Sequence, residues 1–152
     1  MTVSLEINDL GLDAIFRRLA ADARPSAAGV FSGFRASEAK GVTNAQLAAW
    51  HEFGVPKNRI PSRPVIRGTV ERNKRKLDRF LNRQAARVVE GSLTKDQMML
   101  GAAEMLAGEM KKTITRSIGL KSNRPSTVRQ KGSSRPLVDT GQLKNSYEGK
   151  LL

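Results

Sequence analysis

A histidine followed by a glutamate is the first pair in this chain whose side chains could do metal chemistry. His51 and Glu52 match the start of the H-E-x-x-H zinc motif, in which two histidines one helical turn apart bind the metal. Val55 stands where the second histidine is needed, and the chain has one histidine and no cysteine. We therefore interpret the pair as a helix end beside a buried aromatic residue, and we expect neither a metal site nor a cofactor.

An Asp-Thr-Gly triplet near the C-terminus is the second candidate for chemistry. Asp139, Thr140 and Gly141 follow an apolar pair, as in aspartic proteases, where two aspartates share one proton and a homodimer could supply both. That triplet belongs among strands, whereas residues 142–145 are predicted to be helical, and a helix cap explains Asp139 and Thr140 without catalysis. Because the sequence also lacks a phosphate-binding glycine loop and a Ser/His/Asp set, we expect a protein that is not an enzyme.

Positive charge is concentrated in two blocks of the chain. The formal net charge is +13, and residues 57–87 carry eleven basic and two acidic side chains, while residues 111–152 carry ten basic and two acidic. Residues 1–56 and 88–110 each hold more acidic than basic side chains. Such blocks favour surfaces that face a polyanion, either DNA phosphates or an acidic protein surface, over the alternative of a merely solvated helix face.

Length and composition limit the class of protein. A chain of 152 residues fits one domain, and the absence of cysteine excludes disulfides and fits a reducing compartment. The N-terminal residues lack the basic start and apolar run of a signal peptide, and no stretch approaches the ~20 apolar residues that span a bilayer. A cytoplasmic protein with no membrane partner is expected.

The pattern before residue 64 predicts two helices and a strand. An amphipathic helix over 9–23, whose first turn Asp9 can cap, is followed by a short strand over 27–34. A second helix begins at Thr43 or Asn44. Gly54 ends this helix, and three prolines make residues 55–64 an extended loop.

The longest predicted helix covers residues 64–90, with Pro64 in its first turn. One face is apolar at four- and seven-residue steps. The opposite face is the candidate DNA-facing surface, and its basic residues are Arg72, Lys74, Arg75, Lys76, Arg79 and Arg83. Because no side chains suited to reading or stacking on bases accompany them, any DNA contact is expected to be with phosphates, without sequence preference.

A second amphipathic helix, to about residue 118, begins at a capping box formed by Thr94 and Gln97, and it should pack antiparallel to the first. The segment 119–135 is polar and basic without an acidic residue, which predicts a flexible loop. A short helix over 142–145 and a final strand over 146–152 follow. The chain is thus predicted to be a single α+β domain over 1–152, in which a small antiparallel sheet packs with an N-terminal helix and two long amphipathic helices.

Two short sequence islands, about seventy residues apart, carry a family resemblance. The first is Trp50-His51-Glu52-Phe53-Gly54 followed by Ile60-Pro61-Ser62-Arg63-Pro64, and the second is Pro125 to Gly132 followed by Pro136 to Ser146. In this order they resemble the tailed-bacteriophage neck, head–tail joining and tail-completion proteins, over roughly residues 28–152. The motif residues Trp50, His51, Glu52, Phe53, Gly54, Pro61, Pro64, Asp139, Thr140 and Gly141 are then structural.

The resemblance implies a structural part of a virion, located at the head–tail junction and assembled in the host bacterial cytoplasm. Its partners would be other copies of itself in a ring, connector or head-closure proteins, tail tube or tail terminator proteins, and phage DNA through phosphates. Two loops are the expected partner interfaces, with the basic side chains Arg59 and Arg63 in one and Arg124, Arg129, Lys131 and Arg135 in the other.

The sequence departs from the family pattern in two places. Val65 replaces an aromatic residue, which removes a ring that could anchor a partner, and the strand after the second island ends at Leu152, so a neighbour could complete the sheet. The alternative function is a basic accessory protein that binds DNA without sequence preference.

Overall fold

The computed structural model describes residues 11–31, 41–138 and 141–152. Six α-helices and two β-strands lie in these ranges, as an α+β fold. The order is α1 Leu12–Ala20, β1 Ser26–Val30, α2 Asn44–Phe53, a 3₁₀ turn Pro56–Asn58, α3 Val65–Glu90, α4 Lys95–Thr115, α5 Pro125–Lys131, α6 Gln142–Asn145 and β2 Tyr147–Leu151. The predicted fold class is confirmed.

The two strands form an antiparallel sheet that lies directly on α4. Ser26 of β1 is opposite Leu151 of β2, and Val30 is opposite Tyr147. At Gly149 the strand touches the helix backbone, since a Cβ there would lie 2.7 Å from the Ala103 carbonyl oxygen. Glycine is therefore required for this close approach of strand and helix.

Helices α3 and α4 form the predicted antiparallel pair. Gly91 ends α3 with a φ of 81°, and the side chains of Thr94 and Gln97 accept each other's backbone N–H, as the capping box requires. Near the start of α3 and the end of α4, the hydroxyls of Thr69 and Thr113 share a buried hydrogen bond of 2.8 Å. The core lies between α4, the sheet and the ends of the other helices, and its buried side chains are Ala48, Val65, Met110, Ile114, Leu137, Leu143 and Tyr147.

The N-terminal helix differs from its prediction in length and in packing. α1 covers residues 12–20 instead of 9–23, and Asp9 lies outside the described residues. Three of its apolar side chains remain 47–65% exposed, namely Leu12, Phe16 and Leu19. Polar contacts attach α1 instead, because the Arg18 guanidinium donates to the Val89 carbonyl at 2.8 Å. The apolar face of α1 therefore contributes no side chain to the core between α4 and the sheet.

A helix occupies part of the segment that the composition predicted to be a loop. α5 begins at Pro125, a favourable first residue, and ends before Gly132, whose φ is 65°. The loop prediction over 119–135 is therefore wrong for residues 125–131, while flexibility stays a prediction. The predicted strand residues 32–34 and the cap residues Asp139 and Thr140 lie outside the described ranges.

Burial of Tyr147 leads to a prediction for alkaline stability. The side chain is 1% exposed, and burial, followed by the negative charge of Glu52, raises the pKa of its phenol above the ordinary value. The unfolded chain loses this proton near pH 10 while the folded chain keeps it, so the free energy of unfolding falls as the pH rises above 10.

Above pH 10, we expect the free energy of unfolding of the wild type to fall by up to about 1.4 kcal/mol more per pH unit than that of Tyr147→Phe. Urea unfolding at pH 9, 10 and 11 measures this difference, and the variant removes the phenol while keeping the ring. Parallel pH profiles for the two proteins would contradict the prediction.

Candidate interaction site

Glu52 of the first island caps a helix other than its own. The carboxylate is 4% exposed and accepts the backbone N–H groups of Ile66 at 2.9 Å and Arg67 at 3.0 Å, in the first turn of α3. The Arg67 Nε donates to the same carboxylate at 3.1 Å. Pro64 precedes this turn and supplies no side-chain cap. Glu52 therefore satisfies unpaired amides and places a negative charge at the positive end of the helix dipole.

Gly54 lets the proline-rich loop fold back onto the end of α2. Its φ is 80°, and a Cβ at this position would lie 2.8 Å from the Ser62 backbone nitrogen. The Ser62 hydroxyl donates to the Glu52 carbonyl at 2.9 Å, and the Arg63 N–H donates to the His51 carbonyl at 2.6 Å. The first island is thus a compact connection that fixes the relative position of α2 and α3.

Arg63 ties the first island to the segment that leads into the second. Its Nε donates to the Lys121 carbonyl at 2.7 Å, and one Nη donates to the Ser122 carbonyl at 3.2 Å and to Asn123 Oδ1 at 3.1 Å. Burial, which leaves the residue 6% exposed, lowers the pKa of this guanidinium from its ordinary value, although an arginine remains charged near neutral pH.

These contacts correct the expectation that Arg63 is a surface contact of a partner. The guanidinium is directed into the protein because the Arg63 backbone is held against α2 and the side chain must cross to residues 121–123. Asn123, which the sequence did not single out, continues the connection, since its Nδ2 donates to the Arg135 carbonyl at 3.0 Å. An asparagine in a polar segment carries no local signal for such a long-range role.

The two islands line one cleft of about 450 Å³. The first island and its loop contribute one wall, formed by His51, Asn58, Arg59, Ile60, Pro61 and Arg63. The facing wall comes from the second region, through Asn123, Arg124, Ser126, Thr127 and Leu137. Residues about seventy positions apart in sequence therefore share one polar, basic depression.

The other predicted interface arginines are at the surface. Arg59 and Arg124 are exposed on the cleft walls. Arg129 and Arg135 are also exposed but do not line the cleft. Lys131 is the last residue of α5. The fold thus brings Arg59 and Arg124 to one cleft.

The remaining motif residues of the first island mostly serve packing. Trp50, Pro61 and Pro64 are half-buried. Phe53 is 70% exposed, with the Arg67 guanidinium 5.1 Å from its ring centroid. Gly141, in the second island, adopts a φ of 81° immediately before α6.

The basic face of α3 lies in solvent, as the helical pattern predicted. All six candidate DNA-facing residues are exposed: Arg72, Lys74, Arg75, Lys76, Arg79 and Arg83. Lys76 pairs with Glu109 at 2.6 Å, and an Nη of Arg72 approaches the Thr113 hydroxyl at 3.4 Å. The others form no ion pair with any described residue.

The described residues form no group of three or more His, Cys, Asp or Glu side chains that could hold a metal ion. Glu52, the acid of the partial zinc motif, is instead bound to the first turn of α3. Asp139, the aspartate of the protease-like triplet, lies outside the described ranges. Within those ranges, no helix has the length and apolar character needed to cross a bilayer.

Comparisons with protein-family models, curated proteins and solved structures found no match to this chain.

Proposed function

We propose that this protein is a structural subunit of the head–tail junction of a tailed-phage virion, that it assembles as a ring, and that it contacts connector or tail proteins. In this role it performs no reaction. The proposal combines the resemblance of the two sequence islands with the way these islands lie in the fold.

The convergence of both islands on one cleft is the observation that carries the proposal. Glu52 caps α3, Gly54 allows a close backbone contact with Ser62, and Arg63 connects the first island to residue 121. These motif residues therefore have structural roles. Arg59 and Arg124 remain exposed beside this rigid framework. A rigid framework with charged side chains at its surface suits a subunit that must fit several neighbours at fixed positions.

Deletion of the gene from a phage genome that carries it tests the proposal. We expect filled heads and separate tails in electron micrographs, a loss of infectious particles of at least a hundredfold, and recovery when the wild-type chain is supplied in trans. Purified virions should contain the chain. Joined, infectious particles made without this chain would contradict the proposal.

The basic face of α3 favours the second candidate, a sequence-independent DNA-binding protein. Four of its exposed cations, Lys74, Arg75, Arg79 and Arg83, have no acidic partner among the described residues. If all four contacted phosphates, the logarithm of the binding constant would fall with the logarithm of salt concentration with a slope of about −4.

For a virion subunit we expect only weak binding of a 20-base-pair duplex, with a Kd above about 10 μM at 0.15 M salt, within the range of non-specific binding. Filter binding across a salt series measures both quantities. Submicromolar binding with a slope near −4 that is lost when these four residues become glutamine would support the DNA-binding candidate instead.

A further inference from the structure

The cleft between the two islands has a buried positive charge at its inner side. Arg63 is 6% exposed, and its hydrogen-bond acceptors among the described residues are all neutral: two backbone carbonyls and the amide oxygen of Asn123. The described residues form four ion pairs, and Arg63 belongs to none of them. Neutral oxygens only partly compensate a buried guanidinium, so the cleft beside it keeps a positive potential.

Two further arginines face this cleft from opposite walls. Arg59 and Arg124 are exposed, and neither belongs to an ion pair in the described part of the chain. Arg59 also has a φ of 56°, in a region that glycine or asparagine adopts at less cost. Arg59 thus has a backbone conformation that is unfavourable for a residue with a long side chain. No acidic side chain is among the residues that line the cleft.

We propose that this cleft binds a carboxylate side chain from an acidic segment of a different protein subunit. Arg59 and Arg124 contact the carboxylate directly, and Arg63 attracts it through its charge from beneath. The proposal rests on the role at the head–tail junction, and it names the kind of partner surface that this role requires.

The shape and composition of the cleft favour a peptide side chain over DNA. Part of the cleft wall is apolar, formed by Ile60, Pro61 and Leu137, and it can pack against the methylene groups of a glutamate. A volume of about 450 Å³ admits a few side chains, whereas the phosphates of a duplex are spread over a wide convex surface. Arginine, with its planar fork of donors, binds carboxylates in two-point geometry.

The net charge favours a different protein over a second copy of this chain as the source of the carboxylate. The chain has 27 basic and 14 acidic residues, a formal charge of +13, so two copies repel each other on average. A partner with an acidic surface is instead attracted to the same region.

Binding of an acetylated, rhodamine-labelled hexaglutamate peptide to the full chain tests the proposal. We expect Arg59→Gln/Arg124→Gln to raise the Kd at least tenfold in fluorescence anisotropy at 50 mM salt. The matched control Arg87→Gln/Arg116→Gln removes the same charge at exposed positions outside the cleft lining and should change the Kd less than threefold. Circular dichroism of each variant establishes that the fold is retained.

A side-chain nuclear magnetic resonance signal gives a second readout at the cleft itself. The Arg63 Nε–H is held by the Lys121 carbonyl at 2.7 Å, so its resonance reports on charge added nearby. Saturating peptide should shift this resonance in wild type and in the control, but not in Arg59→Gln/Arg124→Gln.

Three results would overturn the inference. One is equal peptide binding by the two double variants together with an unmoved Arg63 signal. Another is a tenfold loss of duplex DNA binding in Arg59→Gln/Arg124→Gln with unchanged peptide binding, which makes the cleft a phosphate site. A third is self-association of the wild type in sedimentation that Arg59→Gln/Arg124→Gln loses and the control variant keeps. That result would make a second copy of the chain the occupant of the cleft. Peptide binding at the cleft in a protein absent from virions would instead refute the head–tail role and leave the carboxylate site standing.

Discussion

Replacing Gly149 by alanine should destabilise the protein by roughly 3 kcal/mol, at the upper end of the usual cost of overpacking. A Cβ at this position would lie 2.7 Å from the Ala103 carbonyl oxygen and closer still to the Ala103 carbonyl carbon and the Glu104 nitrogen. All three atoms belong to the backbone of α4, which cannot rotate away as a side chain would. Strand β2 would have to move away from the helix. The core side chain of Tyr147, two residues earlier in the same strand, would move with it.

Gly108 provides the matched control on α4. A Cβ there meets nothing within 4 Å, so Gly108→Ala should raise stability by about 0.5–1 kcal/mol through the helix propensity of alanine. Urea unfolding followed by Trp50 fluorescence gives both free energies. Equal effects of the two substitutions, or a Gly149→Ala protein as stable as wild type, would mean that the sheet does not rest on the α4 backbone.

Replacing Glu52 by glutamine should cost about 2–3 kcal/mol, the range for losing a charge-assisted hydrogen bond and leaving a buried donor unsatisfied. The carboxylate accepts the N–H groups of Ile66 and Arg67 through separate oxygens. A glutamine turns one of these oxygens into an NH₂ group that faces a donor, and it removes the negative charge at the start of α3. Destabilisation follows although the side-chain shape is nearly unchanged.

Two further variants separate the possible causes of this loss. Glu71→Gln makes the same chemical change at an exposed position of α3 and should alter stability by less than about 0.5 kcal/mol. Arg67→Met removes the ion pair and the guanidinium's hydrogen bond to the Glu52 carbonyl, but it leaves the two backbone N–H groups bound to the Glu52 carboxylate. Since the Arg67 side chain is 61% exposed, this substitution should cost about 1 kcal/mol or less. If Arg67→Met cost as much as Glu52→Gln, the ion pair and not the helix cap would explain the role of Glu52.

Features that depend on neighbouring residues could be predicted well from the sequence. The T-x-x-Q box at Thr94, the stop at Gly91 and the start after Pro64 are local signals, because each concerns backbone groups within one helical turn. The period of apolar residues likewise predicted α3, α4 and the exposure of the basic face, since side chains four positions apart share one side of a helix.

Periodicity was less informative where burial depends on the space left by other elements. It predicted an apolar side for α1, yet Phe16 remains 65% exposed because no described element covers it. Composition also failed for residues 125–131, where a basic segment forms a helix that begins at a proline and ends at a glycine. A polar sequence lacks the apolar stripe by which such a helix is usually recognised.

The candidate site shows the same division between local and long-range information. The exposure of Arg59 and Arg124 agrees with their expected place in surface loops, whereas Arg63 has the same residue type and is buried. What distinguishes Arg63 is its contact with the backbone carbonyls of Lys121 and Ser122, which lie about sixty positions away from it in sequence. No rule based on sequence spacing contains that distance.

The amino-acid sequence alone determined the starts of α3 and α4, the end of α3 at Gly91, the basic face of α3 and the α+β class, because these depend on residue type and short-range spacing. It also supplied the two islands on which the proposed function rests. Only the tertiary structure decided that Glu52 caps α3, that Gly149 seats the sheet on α4, and that Arg63 joins the islands into one cleft. Each of these contacts joins backbone to a distant residue, and its geometry exists only after the chain has folded.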